Sequence, residues 1–319
     1  MIMLAYSLVC LIFGTTFLAI KIGVDAGMPP FFSAGLRFFV AGAVLFLFMT
    51  WKGKASFTLL LRKEMLFTGA ALTFGTFSAL YWAEQYVSSG LAAVLSATGP
   101  MMILLMQATL LRQKAPSYSL IGCIIGFTGV LLLVLPSLAI DVSPLWLTGC
   151  AVVLIGEICY AAGAIYSKKV TRTFSDESPV ALNAAQMMYG GVLLFLLSLF
   201  TEKVHPEVLL SFRTAGSLLY LTAIGSMVGH TLFYWLVART NPVFPSTWLY
   251  ISPPIAVGVG FIFYGESVTW ITLLGVFTII AGTVLVNAVA LKQLLFKPKR
   301  STPLVQPVAA DAYSQKQIL

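Results

Sequence analysis

The chain has little charge. Only 9% of its 319 residues are Asp, Glu, Lys or Arg, against about 25% in soluble domains, while 59% are hydrophobic. No soluble core absorbs that much apolar side chain, so the sequence reads as a polytopic membrane protein. Histidine is limited to two residues and cysteine to four. Cys10, Cys123, Cys150 and Cys159 all lie inside apolar runs. Their spacing fits neither a disulfide framework nor a metal site, and they read as small buried residues. There is no HExxH, no Gly-x-Gly-Asp and no nucleotide-binding loop, which argues against ATP-driven pumping by this chain alone. Nothing calls for a metal or a cofactor. The formal net charge is +8, but no basic face exists to bind nucleic acid. The first apolar stretch lacks a basic leader, its first Lys or Arg being Lys21 at the far end, and has no small-residue cleavage site. It reads as a retained transmembrane helix rather than a signal peptide.

What the chain does have is apolar length. Ten segments can be placed, at 2–21, 31–50, 65–84, 89–111, 117–137, 144–166, 180–200, 214–237, 243–264 and 269–291. About 20 apolar residues at 1.5 Å each cross the hydrocarbon layer. Breaks carry turn or charge signals, among them Gly27-Met28-Pro29-Pro30, Lys52-Gly53-Lys54, Gln113-Lys114, Asp141 to Pro144 and Asn241-Pro242. After Leu291 comes a basic tail, 292–319, whose polar composition predicts disorder. With the N-terminus inside, 15 Lys and Arg fall on the cytoplasmic side, three on the outer side and one, Arg37, within a span. Both termini are therefore expected in the cytoplasm. The short loops suit a prokaryotic plasma membrane.

Tyr81-Trp82, Pro100, Gly122 and Gly129 recur as Tyr234-Trp235, Pro253, Gly275 and Gly282, each 153 positions later. Lys21 matches Lys168, Pro30 matches Pro179, and Arg37 falls opposite Gln186, at offsets that shift with loop length. Five spans lie in 1–140 and five in 141–291, and an odd number per half predicts an inverted repeat. That is the usual scaffold of secondary transporters.

At these residues the chain resembles the EamA-type transporters of the drug/metabolite transporter superfamily. The likeness rests on Phe13-Gly14-Thr15-Thr16-Phe17 before Lys21, and on Pro30 through Arg37-Phe38 to Ala41. It rests also on Gly90-Leu91-Ala92-Ala93 ahead of Pro100, and on Gly265-Glu266 ahead of Gly275 and Gly282. Gln113 stands where the second half has Glu266, and Phe13 where it has Tyr160. The resemblance implies export or exchange of small metabolites, such as amino acids and related compounds, or drugs, across the plasma membrane. The partners expected are a small-molecule substrate, the lipid bilayer and protons as a coupling ion; a homodimer stays open.

Glu157 falls about 13 residues into the sixth span, roughly 20 Å from the outer surface. A carboxylate at that depth serves either proton coupling or a cationic group, or is a neutral acid bonded between helices. His230 reaches a similar depth and either shares a proton with Glu157 or is a satisfied core histidine. Arg37, some 10 Å below the outer surface, either forks onto a substrate carboxylate or phosphate, pairs with Glu84, or snorkels. Gln186 is its counterpart. Glu84 reads as an interfacial residue or ion-pair partner, and Lys21 and Lys168 as snorkelling or gating lysines. Tyr81, Trp82 and Tyr234 line a cavity or anchor at the interface, as does Trp235. Pro100 and Pro253 read as mid-span kinks or broken turns, and as hinges. Gly122-xxx-Gly126 and Gly225-xxx-Gly229 permit close helix contact. Two rival classes remain, an intramembrane enzyme using Glu157 and His230, and a channel or sensor. The first lacks a recognised motif; a channel lacks a continuous polar lining, and a sensor lacks a soluble output domain.

Overall fold

The computed structural model describes residues 1–112, 116–139, 143–209, 211–240 and 243–288. Gln113, Lys114, the Asp141 junction, Asn241-Pro242 and the basic tail lie outside the described residues. Among the described residues every regular element is a helix. Hydrocarbon imposes this, because each backbone polar group must be satisfied within its own segment. We label the main rods α1 (Ile2–Asp25), α2 (Pro30–Trp51), α3 (63–83), α4 (Ser89–Thr109) and α5 (Ser117–Ala139). There follow α6 (Pro144–Thr173), α7 (Pro179–Thr201), α8 (Phe212–Val237), α9 (Phe244–Tyr264) and α10 (Trp270–Val286). Seven of them, α1, α2, α4 and α6 to α9, are long and apolar enough to cross a membrane. Ser117–Leu133 and Trp270–Val286 are shorter apolar helices. The chain is thus a multi-pass membrane protein.

Local chemistry sets the ends. Pro30, Pro144 and Pro179 open α2, α6 and α7, where a missing N–H costs nothing. Ser143 and Ser178 cap α6 and α7 by accepting from the backbone N–H groups of Leu145 and Val180. Gly265 closes α9 at φ 67°, a left-handed cap that a side chain would strain.

Four rods depart from regular α-helix: α3, α8, α4 and also α9, which turns at Thr247 between Val243–Ser246 and Trp248–Tyr264. In α3 the segment Gly69–Gly75 is a π-helix, and in α8 so is Tyr220–Val228. Shifted by the sequence offset of 153, residues 69–75 become 222–228, so the two wide stretches occupy the same register. Such turns gather at functional sites. The third departure is α4, which breaks at Ala97-Thr98 and restarts at Gly99 with Pro100 in its first turn. Of the kink or broken turn expected at Pro100, the broken turn is present just ahead of it at Ala97-Thr98, and Pro100 stands in the first turn of the restarted helix. It begins a helix, where proline is tolerated. Pro253, with Pro254, does sit inside the helix Trp248–Tyr264.

The pairings cross the chain's midpoint in matched sets. α2 packs along α7 and α5 along α10, while α1 lies on α9 as α4 lies on α6. The α3 π segment packs on α7, and the α8 π segment on α2. The four recurring glycines meet crosswise. A Cβ on Gly122 would come within 2.8 Å of the Gly282 carbonyl, and one on Gly129 within 3.0 Å of the Gly275 carbonyl. Small residues let two backbones approach where no hydrophobic force drives association.

Candidate functional site

Two buried polar clusters flank the helix crossings. The first is built on Arg37, which is 2% exposed. Its Nε donates to the Ser226 hydroxyl at 2.8 Å and its Nη1 to the Tyr81 hydroxyl at 3.1 Å. The guanidinium carbon lies 4.7 Å from the centre of the Phe38 ring and 5.6 Å from that of Phe77, near enough for cation–π attraction. Gly225, also in the α8 π segment, leaves room for it: a Cβ there would sit 3.3 Å from Nη2. Among the described residues the one ion pair is Lys21–Asp25, so Arg37 has no carboxylate partner, and the expected pairing with Glu84 is absent. A guanidinium held by neutral groups away from water keeps its attraction for an anion.

Gln186, buried on α7, repeats this arrangement at the other π segment. The Thr73 hydroxyl donates to its Oε1 at 2.9 Å, and its Nε2 donates to Asn183 Oδ1 at 2.9 Å. Thr73 and Ser226 are themselves 153 positions apart. Each of the two bonds therefore joins the second helix of one half to the π segment of the other.

The second cluster surrounds Glu157, 5% exposed on α6. Its carboxylate lies beside the Ser96 hydroxyl and faces the break in α4, since a Cβ on Gly99 would come within 2.7 Å of its Oε2. Tyr160, one turn on, is within electrostatic range of both Glu157 and Tyr234. The α4 break thus brings the start of a helix, at Gly99, against an acidic side chain.

His230 belongs elsewhere. Its Nδ1 is 2.9 Å from the Ser226 carbonyl, its ring packs against Phe13 with centroids 5.5 Å apart, and Arg37 lies within electrostatic range. It forms neither a hydrogen bond nor an ion pair with Glu157. Of the two readings of His230, the proton shared with Glu157 is not assembled here; the ring bonds the Ser226 carbonyl within the arginine cluster, as a satisfied core histidine would. A residue's position along its helix does not fix the face it takes.

The aromatic repeats divide in the same way. Tyr81 is fully buried on Arg37, whereas Trp82 stacks on Tyr86 with centroids 5.0 Å apart. Tyr234 packs against Phe233, and Trp235 lies under the Arg239 guanidinium, 5.1 Å away. In the first pair the tyrosine is buried and the tryptophan half-buried, whereas Tyr234 and Trp235 are both half-buried. Sequence reasoning missed Ser226, Thr73, Ser96 and Tyr160 as site members; serine and threonine in an apolar run carry no signal of their own. No group of three or more His, Cys, Asp or Glu able to hold a metal occurs among the described residues.

Toward the outer end expected from charge, three acidic residues tie the halves together. Glu266 accepts from the Ser89 N–H at 2.7 Å, the Ser89 hydroxyl at 2.6 Å and the Gly90 N–H at 3.0 Å. Glu202 accepts from the Phe31 and Phe32 N–H groups at 2.8 and 2.9 Å. Asp25 accepts from the Tyr264 hydroxyl at 2.8 Å. The opposite end uses neutral bonds, such as Tyr6 to Thr247 at 2.6 Å and the Ser178 N–H to the Lys54 carbonyl at 3.2 Å.

Several known proteins similar to this chain are transporters by name. Residues 1–135 and 147–288 match the EamA-like transporter family. The "Uncharacterized inner membrane transporter YedA" of Escherichia coli is 31% identical over 310 residues, 96% of this chain and 94% of that protein. The "Uncharacterized transporter YoaV" of Bacillus subtilis is 26% identical, covering 88% of this chain and 94% of its own. A Salmonella typhimurium protein, "Probable amino-acid metabolite efflux pump", is 25% identical over 86% of this chain and 91% of its own. One solved crystal structure superposes with a TM-score of 0.61 at 16% identity, over 92% of this chain and 98% of that one, which bears on the fold alone.

Proposed function

The chain belongs to the EamA-like transporter family and is a membrane transporter, and from that premise we propose that it is a secondary exporter of small anionic or zwitterionic metabolites working by alternating access. The single observation that carries this is the matched pair of ties, Arg37 to Ser226 and Thr73 to Gln186. Each links one half to the wide helical turns of the other, so shifting one half against the other loads both. The reading uses the α1–α10 rods as ten spans in two inverted repeats, 1–140 and 141–291. Both termini are then cytoplasmic, as the distribution of Lys and Arg favours.

Arg37 is the proposed contact for a substrate carboxylate or phosphate, with Tyr81 and Ser226 orienting it. Glu157, Tyr160 and Tyr234 form the proposed contact for a cationic group, or for a coupling proton. Together they suit an amino acid or a close relative, which the name of the Salmonella relative supports. Transport by purified protein in vesicles, run against a metabolite panel with and without a pH gradient, tests the reading. Accumulation of an amino-acid-like substrate that is driven by the gradient is expected. No flux of any compound, with lipid or peptide cleavage in its place, would overturn it in favour of an enzyme.

A further inference from the structure

Glu84 closes α3 at its C-terminus and is 0% exposed, and neither of its carboxylate oxygens has a hydrogen-bond partner. The contrast with its neighbours is sharp. Glu266 takes three donors, Glu202 two, and Asp25 both Lys21 and Tyr264. The C-terminal end of a helix also carries partial negative charge, so an ionised carboxylate there meets further repulsion. Charged and titratable groups reach toward Glu84 from each packed element: Lys21 and Asp25 on α1, Arg37 on α2, Tyr81 on its own helix, and Glu266 after α9.

The two cations among them are committed elsewhere. Arg37 is bonded to Ser226 and Tyr81. The Lys21 ammonium pairs with Asp25 at 2.9 Å, yet it also donates to the main-chain carbonyl of Glu84 at 2.8 Å. It therefore stands one side-chain rotation from the orphaned carboxylate. An ionised acid that is buried, unbonded and next to other acids is not sustained, whereas a neutral one is.

We propose that Glu84 is a proton-binding residue of the transport cycle, neutral in this conformation, and that Lys21 passes from Asp25 to Glu84 when the proton leaves. The balance is simple. The proton departs from the Glu84 carboxyl to water, Lys21 stays an ammonium throughout, and Asp25 exchanges its ion pair for solvent. Because Asp25 also holds Tyr264, the exchange loosens the tie between α1 and α9. This deepens the proton-coupled reading above and rests on it for its role in transport, though the residue's protonation can be read without any substrate.

The test is infrared spectroscopy of the full chain in lipid vesicles, following the carbonyl stretch of protonated carboxyl groups from acid to alkaline pH. Glu84→Gln is expected to remove one component at neutral pH that Glu157→Gln leaves in place. Lys21→Met is expected to move the loss of that component upward by about one pH unit or more, a tenfold change in proton concentration. A protonated-carboxyl signal unchanged in Glu84→Gln overturns the proposal, and an unmoved titration in Lys21→Met overturns the exchange of counter-ion. Should Glu84→Gln fail to fold, Glu84→Asp takes its place: a displaced band is expected, and an undisplaced one overturns the assignment. If the infrared results hold while a pH gradient drives no flux, the Glu84–Lys21 exchange stands and the coupling reading above fails.

Discussion

Arg37 on α2 reaches the π turns of α8, and Gln186 on α7 reaches the π turns of α3. Both side chains are buried, both bond a hydroxyl at the same repeat position, and both bridge the two halves. One is a cation without an anion, the other a neutral amide whose own amine is satisfied by Asn183. Equivalent scaffolding has thus been given unequal charge. In the proposed cycle, the shared geometry would serve movement and the difference in charge would serve the substrate.

The largest effect is expected from making the two ties alike. Arg37→Gln removes the only buried cation facing Ser226 and Tyr81, and it should lower vesicle flux by about 100-fold. Gln186→Leu breaks a neutral bond and should lower it by about fivefold, in line with roughly 1 kcal/mol. Equal losses would erase the distinction between the two ends.

Packing at the π turns gives a smaller contrast. A Cβ on Gly190 would collide with the Thr73 side chain and lie 2.8 Å from the Gly69 carbonyl. Gly190→Ala should therefore destabilise by about 1–3 kcal/mol in thermal unfolding. Gly225→Ala meets the ends of two side chains, the Arg37 guanidinium at 3.3 Å and the Thr16 hydroxyl at 3.4 Å, and its effect on stability should stay within about 0.5 kcal/mol. A reversal of that order would mean that the α8 turns, not the α3 turns, are the tighter contact. The smallest effect is expected at Pro100. In the first turn of its helix, Pro100→Ala should change stability by about 0.5 kcal/mol or less. A much larger change would mean that Pro100 shapes the α4 break.

The sequence reveals the membrane character, most of the rods and the recurring Tyr-Trp pairs, because each rests on composition or on spacing along one segment. Arg37 and Glu157 are legible too, since an ionisable residue in an apolar run is conspicuous. What escapes is rotation. Glu84 reads as interfacial because it ends a span, yet it is wholly enclosed; its enclosure comes from α1 and from Glu266, distant in the chain. His230 and Glu157 read as similar in depth but belong to different clusters. The place of the α4 break is hidden because Ala97 and Thr98 are ordinary residues inside helices, and the visible Pro100 marks the restart rather than the bend.

The π turns carry one further consequence, which concerns phase. Bonding from i to i+5 accommodates one more residue than the α pattern, and each residue turns the helix by about 100°. The stretches 69–75 and 220–228 thus act as rotational offsets for the aromatics that follow them. Removing one residue from the first stretch would swing Tyr81 off Arg37 and bring its neighbour around, with almost no change in composition or hydropathy. Removing one from the second would turn Tyr234 in the same way. In the first of these turns, insertion length rather than the identity of the residues that follow is expected to keep Tyr81 inside.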